Sequence, residues 1–392
     1  MKIKIINGTV ITPFRTIAQG TVVVDQGKVV QVCAGDVSVP GATVIDAEGN
    51  YVAPGFIDIH IHGGGGHDFM DGTVEAFLGI AEKHAQFGTT AMVPTTLTSE
   101  KEDLLNTLDV YKAASAANTM GASFLGMHLE GPYFALSQRG AQDPRFIRNP
   151  DPAEYEEILA HSSDITRWSA APELPGAIEF GKRLRQKGIL AAVAHTDALY
   201  DEVLEAYENG YTLATHLYSA MSGVTRKNAY RYAGTIESAL LLDMDVEIIA
   251  DGVHLPAPLL KLIDKIKGAD QIALITDAMR AAGMPEGDSI LGSLKSGVRV
   301  LVEDGVAKMP DRSSFAGSVA TTDRLVRTMV QQAEVSLPKA VRMMSLTPAR
   351  IMGVDAHKGS LVAGKDADIV IFDADINIQA TLVGGKIVYQ KA

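Results

Sequence analysis

The chain has 392 residues, 46% hydrophobic and 21% charged, the balance of a globular protein with a large core rather than of a disordered one. Its 47 acidic and 35 basic side chains leave a net charge of −12, which argues against a surface built for nucleic-acid phosphates. A single cysteine, Cys33, excludes intramolecular disulfides and CxxC metal or redox motifs, and no apolar run is long enough for a membrane-spanning helix.

The opening segment MKIKIINGTVITPF alternates polar and apolar residues and lacks the continuous apolar stretch of a secretion signal, so the expected location is cytoplasmic. KIKIING, GTVVVDQ and KVVQVCA then read as short strands separated by glycine-containing turns. From about residue 55 to 350, β-rich runs alternate with amphipathic helical stretches such as LYDEVLEAYENG. Eight such runs occur: GFIDIHIH, TTAMVPT, SFLGMHLEG, RWSAAPE, LAAVAHT, TLATHLY, VEIIADG and QIALITDAM. Repeated βα units make a parallel sheet, and eight strands can close into a barrel of about 250 residues. The last forty residues return to strands in GSLVAGKDADIVIFDAD and QATLVGGKIVYQ. The expected fold is therefore α/β, a (β/α)8 TIM-like barrel over residues 55–354 with a small β-sandwich domain formed by residues 1–54 and 355–392. An open doubly wound sheet is the alternative.

The polar residues favour the barrel, because they fall at the ends of the runs, where barrels carry their active sites. Strand alternation in GFIDIHIH puts Phe56, Asp58, His60 and His62 on one face and Ile57, Ile59 and Ile61 on the other. Two inward imidazoles suit a divalent metal, while a pair of rim histidines is the bland reading. The HGGGGHDF that follows either brings backbone close to a ligand or is a plain mobile loop. Glu130 ends SFLGMHLEG as a metal ligand or a turn carboxylate, and His128, one layer deeper, reads as a satisfied core histidine. His195 and His216 end the next histidine-bearing runs; with Glu130 they supply three N/O ligands and leave a position for water. Asp277 closes QIALITDA, where a carboxylate can act as general base or cap a following helix.

At seven places the chain resembles the N-acetylglucosamine-6-phosphate deacetylases of the amidohydrolase superfamily. These are APGFIDIHIHG (53–63), LEGP (129–132), AHTDA (194–198), THLYSAM (215–221), IADGVH (249–254), ITDAM (275–279) and GKDADIVIFD (364–373). HxH and GKDAD occur widely among amidohydrolases; LEGP with THLY and ADGVH is more particular. The resemblance implies that Glu130, His195 and His216 bind the principal divalent ion and that Asp277 accepts and returns the proton. It also implies that His60 and His62 can hold a second ion. Zinc, iron, manganese and cobalt all suit such ligands, zinc first. Gln142, Ser219, Ala220, His254 and the Phe315, Ala316, Gly317 segment then fall to a phosphorylated N-acetyl amino sugar. An arginine holding the phosphate across a homodimer interface would be Arg226, ahead of Lys227 and Arg231. Two positions depart from the family: Ser219 stands where most relatives have Asn, and TRKNAYR replaces an Arg-Glu-Pro-Gly-like stretch. The implied reaction is hydrolysis of a linear amide. The galacto epimer, a cyclic-amide hydrolase or deaminase, and a non-catalytic sugar-binding barrel are the other readings.

Overall fold

The computed structural model describes residues 1–391. Both ends of the chain contribute to one eight-stranded sheet. Lys2–Ile11 pairs with Thr16–Asp25, which pairs with Lys28–Ala34; on its other side lie Thr43–Asp46 and Tyr51–Pro54. Tyr51–Pro54 then pairs antiparallel with Ile369–Phe372, which leads to Ile378–Val383 and Lys386–Gln390. Alternation explains the register: Ile3, Ile5, Val22 and Val24 share a buried cluster with Ile369, Ile371 and Leu382.

Between these ends run two all-parallel sheets. One contains Phe56–Ile61, Thr89–Pro94 and Ser123–Phe124. The other contains Met127–Glu130, Ile165–Ala170, Leu190–Val193, Tyr211–Ala214, Asp245–Ile248 and Ile272–Leu274, in that order. Every run singled out in the sequence contributes a strand, with one correction. SFLGMHLEG is not a single strand but two pieces broken at Leu125–Gly126, one in each sheet. Gly126 permits the break: its φ is +97°, and a Cβ there would lie 2.2 Å from Thr166 Cγ2. Backbone hydrogen bonds join the sheets at both edges. Thr96 N donates to His128 O at 3.0 Å, Asp277 N to His60 O at 2.9 Å, and His62 N to Ala278 O at 2.9 Å.

Helices cover the outer faces of these sheets. Val74–Ala85 starts at Thr73, whose hydroxyl accepts from Ala76 N at 3.2 Å, and turns Phe77, Ile80, Ala81 and His84 inward at helical spacing. No helix among the described residues is long and apolar enough to cross a membrane. Two elements were not expected from the sequence. Gly287–Leu291, Val298–Glu303 and Val306–Lys308 form an antiparallel sheet, and TRKNAYR is a hairpin of Thr225–Lys227 against Tyr230–Tyr232 rather than a loop.

Phe372 joins the end sheet to the central body, its ring 5.6 Å from Tyr51 and 6.2 Å from Phe56 in a cluster that also holds Ile248 and Leu274. Phe372→Ala should cost about 3–5 kcal/mol and shift one cooperative urea transition to lower denaturant. Two separated transitions would mean that the end sheet unfolds independently.

Candidate active site

The strand Phe56–Ile61 is buried on both faces, and its alternation sets up the site. Ile57 and Ile59 pack outward with Ala349 and Ile275, while Asp58 and His60 point inward. Asp58 accepts from Thr276 N at 3.2 Å and from the Thr276 hydroxyl, linking this strand to the segment that carries Asp277. Burial pushes the Asp58 carboxyl up to about 7. Gly63 and Gly64, just beyond His62, are required by close approach, not mobility. A Cβ on Gly63 would lie 2.3 Å from His67 O, and one on Gly64 would lie 2.3 Å from His84 Nε2.

Glu130, 2% exposed at the end of Met127–Glu130, is the centre of the site. Its Oε1 lies 3.0 Å from His216 Nε2 and 3.4 Å from both His60 Nε2 and His195 Nε2. Its Oε2 is 3.4 Å from His62 Nε2 and accepts from Gln142 Nε2 at 2.8 Å. Asp277 Oδ1 is 3.1 Å from His62 Nε2 and 3.5 Å from His60 Nε2. His60, His62 and Glu130 form one potential metal-binding group, and Glu130, His195 and His216 another, each with ligand atoms within 4.8 Å of one another.

These residues fit a divalent cation. The Nε2 atoms of His60 and His62 lie 3.3 Å apart and both face carboxylates, an arrangement of lone pairs that calls for positive charge between them. The titration shifts point the same way. Burial opposes protonation of His60, yet the charge of Glu130 and hydrogen bonds to Glu130 and Glu247 lift it to about 9. Burial would raise Glu130, but the charge of His60 and hydrogen bonds from His195, His216 and His60 hold it well below the usual carboxylate range. The same competition, led among the opposing effects by the His62 hydrogen bond, holds Asp277 low.

Three of these residues adopt backbone conformations that sequence does not reveal. His195, His216 and Asp277 have φ of +46°, +34° and +49°, the left-handed region that side chains other than glycine rarely occupy and that is often found at functional sites. Each turns the chain sharply at the end of its strand. No helix begins after Asp277, so the helix-cap reading of that residue does not hold. His195 is oriented by its Nδ1, which donates to Gln138 O at 2.8 Å, and by the Phe134 ring stacked at 4.4 Å.

His60 is supported from beneath by a pair that sequence reasoning missed. Its Nδ1 is 3.4 Å from Glu247 Oε2, and Glu247 is gripped at both oxygens by Arg167, whose Nη2 donates at 2.8 Å. Arg167 also donates to Ile59 O at 3.0 Å and to Thr215 Oγ1 at 2.9 Å, next to His216. The signal was available: an arginine in RWSA and a glutamate in VEII, each inside a strand whose neighbours are apolar. His128 is the satisfied core residue expected, 3.2 Å from Thr95 Oγ1 and 2.7 Å from Ser169 Oγ; burial and the charge of Arg167 keep its pKa well below the ordinary value.

Above this cluster lies a cavity of about 330 Å³. His62, Glu130, His195, His216 and Asp277 line it, as do Gln142, Ser219, Ala220, His254, Phe315 and Gly317. His254 gives the cavity a fixed imidazole: its Nδ1 is 2.8 Å from Asp251 Oδ2, and its ring lies 4.6 Å from that of Phe315. The other residues singled out lie elsewhere. His60 is fully buried below the cavity, and Ala316 packs in the core with Met279 and Leu291. Arg226, Lys227 and Arg231 are exposed on the hairpin, outside the cavity lining.

Parallel βα strands whose ends converge imidazoles and carboxylates on a cavity define a metal-dependent hydrolase of the amidohydrolase type. The chain belongs to the amidohydrolase family, whose model matches residues 51–388, and within it to the N-acetylglucosamine-6-phosphate deacetylases. It is 30% identical over 389 residues to the N-acetylglucosamine-6-phosphate deacetylase of Haemophilus influenzae, covering 98% of this chain and 99% of that one. It is 33% identical over 347 residues to the N-acetylgalactosamine-6-phosphate deacetylase of Escherichia coli O157:H7, covering 88% of this chain and 89% of that one. The crystal structure of the Pasteurella multocida N-acetylglucosamine-6-phosphate deacetylase superposes with a TM-score of 0.93 at 28% identity, covering 100% of both chains.

Removing either Arg167 or Glu247 leaves a buried charge unpaired. Arg167→Met and Glu247→Gln should each cost about 3–5 kcal/mol, and the double variant less than the sum of the two. In that double variant the affinity of a metal held by His60 and His62 should fall about 10–100-fold. Additive unfolding energies with unchanged metal titrations would contradict this arrangement.

Proposed function

We propose that the protein hydrolyses the acetamide of N-acetylglucosamine 6-phosphate to acetate and glucosamine 6-phosphate. The observation that carries this reading is Glu130, ringed by four imidazole Nε2 atoms with Asp277 alongside, bordering a sugar-sized cavity. Glu130, His195 and His216 would hold the principal ion, and His60 and His62, sharing Glu130, a second. A divalent ion there supplies Lewis acidity toward the acyl oxygen and the attacking water, zinc being the first candidate ahead of iron, manganese and cobalt. Asp277, held in its ionised form, takes a proton from the water as the new C–O bond forms. It returns that proton to the sugar nitrogen as the C–N bond breaks, so the amine leaves neutral.

His254, Gln142, Ser219 and Ala220 would contact the sugar together with the Phe315–Gly317 segment. The hydrogen bonds between the two parallel sheets at both edges support one closed (β/α)8 barrel over residues 55–354. The apolar cluster shared by the two chain ends supports a small β-sandwich domain formed by residues 1–54 and 355–392. Arg226, first among the hairpin cations, reaches the phosphate of the partner copy in a cytoplasmic homodimer. Exposed Val224 and Tyr230 on the same segment support an interface there. The galacto epimer remains the second substrate reading, because the relative named for it is as similar to this chain as those named for the gluco form.

Acetate release by metal-loaded protein should be fastest from N-acetylglucosamine 6-phosphate, compared with its galacto epimer and the unphosphorylated sugar. Faster release from either of the others would overturn the substrate. Asp277→Asn should keep its metal content and lose about 10²–10⁴-fold in kcat, whereas near-normal turnover would remove Asp277 from the proton transfer.

A further inference from the structure

The reacting acyl carbon must lie beside Glu130 and Asp277, so the rest of the acyl group points at whatever surface adjoins them. The apolar lining of the cavity falls mainly into two parts. Phe315 lies on the His254 side, and Leu97, Ala141 and Leu291 lie together on the Gln142 side. The second part is tied directly to the reacting centre. Thr98, next to Leu97, donates its N at 2.9 Å and its hydroxyl at 2.8 Å to Gln142 Oε1, and Gln142 Nε2 donates at 2.8 Å to Glu130 Oε2. The Leu97 side chain also lies close to Gly292, where an added Cβ would be 3.3 Å from its Cδ1.

We infer that Leu97, Ala141 and Leu291 form the wall that limits acyl length, so that the site takes a two-carbon acyl group and rejects longer ones. This rests on the deacetylase reading given above. The wall is one side chain thick. Behind it lies a separate cavity of about 50 Å³ that Leu97, Ala141 and Leu291 also line, more than the roughly 10–15 Å³ needed by one water-sized group. An acetyl methyl meets the wall and loses its contact with water there. A third or fourth carbon has nowhere to go until Leu97 is shortened and the two cavities merge.

The test is kcat/KM of the metal-loaded protein for N-acetyl, N-propionyl and N-butyryl glucosamine 6-phosphate. The wild-type value should fall about tenfold or more with each added carbon. Leu97→Ala should raise the propionyl-to-acetyl ratio about tenfold, and Ala141→Val should lower it. Leu97→Val, which removes a single carbon, should move the ratio in the same direction as Leu97→Ala and covers the case in which the larger truncation does not fold. Equal wild-type turnover of all three compounds would overturn the wall and leave the deacetylase standing. So would ratios that stay fixed in the Leu97 and Ala141 variants but move with Phe315→Ala. No acetate from the N-acetyl compound would overturn the deacetylase reading, and the wall with it.

Discussion

A carboxylate that is 2% exposed imposes a condition on everything around it, because an ionised group taken out of water must be met by positive charge or by donors. Glu130 is met by four imidazole nitrogens and a glutamine amide, from segments far apart in the chain. Asp277 places a second carboxylate beside two of those nitrogens, on His60 and His62. Protons on the histidines can balance part of this charge, but a divalent cation does so with more charge and with geometry that the imidazoles already approach. The cluster is therefore stable and useful for the same reason: what neutralises Glu130 can also activate water.

That convergence depends on supports that do not touch the cavity. Arg167 and Glu247 lie under His60, a buried pair whose attraction offsets its own desolvation only because Ile59 O and Thr215 Oγ1 take further donors from Arg167. Gln138 fixes His195 through its main-chain oxygen, and Gln142 links Glu130 to Thr98. The left-handed turns at His195, His216 and Asp277 then aim their side chains into the mouth instead of along the strand. Strain there is tolerated because the backbone around each of these residues is hydrogen-bonded to a neighbouring strand, leaving it little alternative.

The sequence made the strands legible because their periodicity is physical: alternating isoleucines around His60 must be buried on one side, and short apolar runs between amphipathic helices must form a parallel sheet. The candidate metal ligands were legible for a related reason, since polar residues ending otherwise apolar runs have few structural uses. Less legible was anything decided by tertiary contact. The break at Gly126 depends on Thr166, forty residues away; the antiparallel unit from Gly287 to Lys308 alternates only in Val298–Glu303 and is mixed in exposure in Gly287–Leu291; and the Arg167–Glu247 pair is meaningful only once two strands lie in one sheet. The hairpin around Arg226 shows a further gap, because its basic residues identify a charged surface without saying what meets it.

The most direct test of Glu130 as a shared ligand is anomalous diffraction from crystals of the metal-loaded protein. The expected result is a peak about 2.0–2.2 Å from a Glu130 oxygen and from nitrogens of His195 and His216, with any second peak sharing Glu130 and lying against His60 and His62. A metal peak elsewhere in the chain, with Glu130 making no contact to it, would contradict the account.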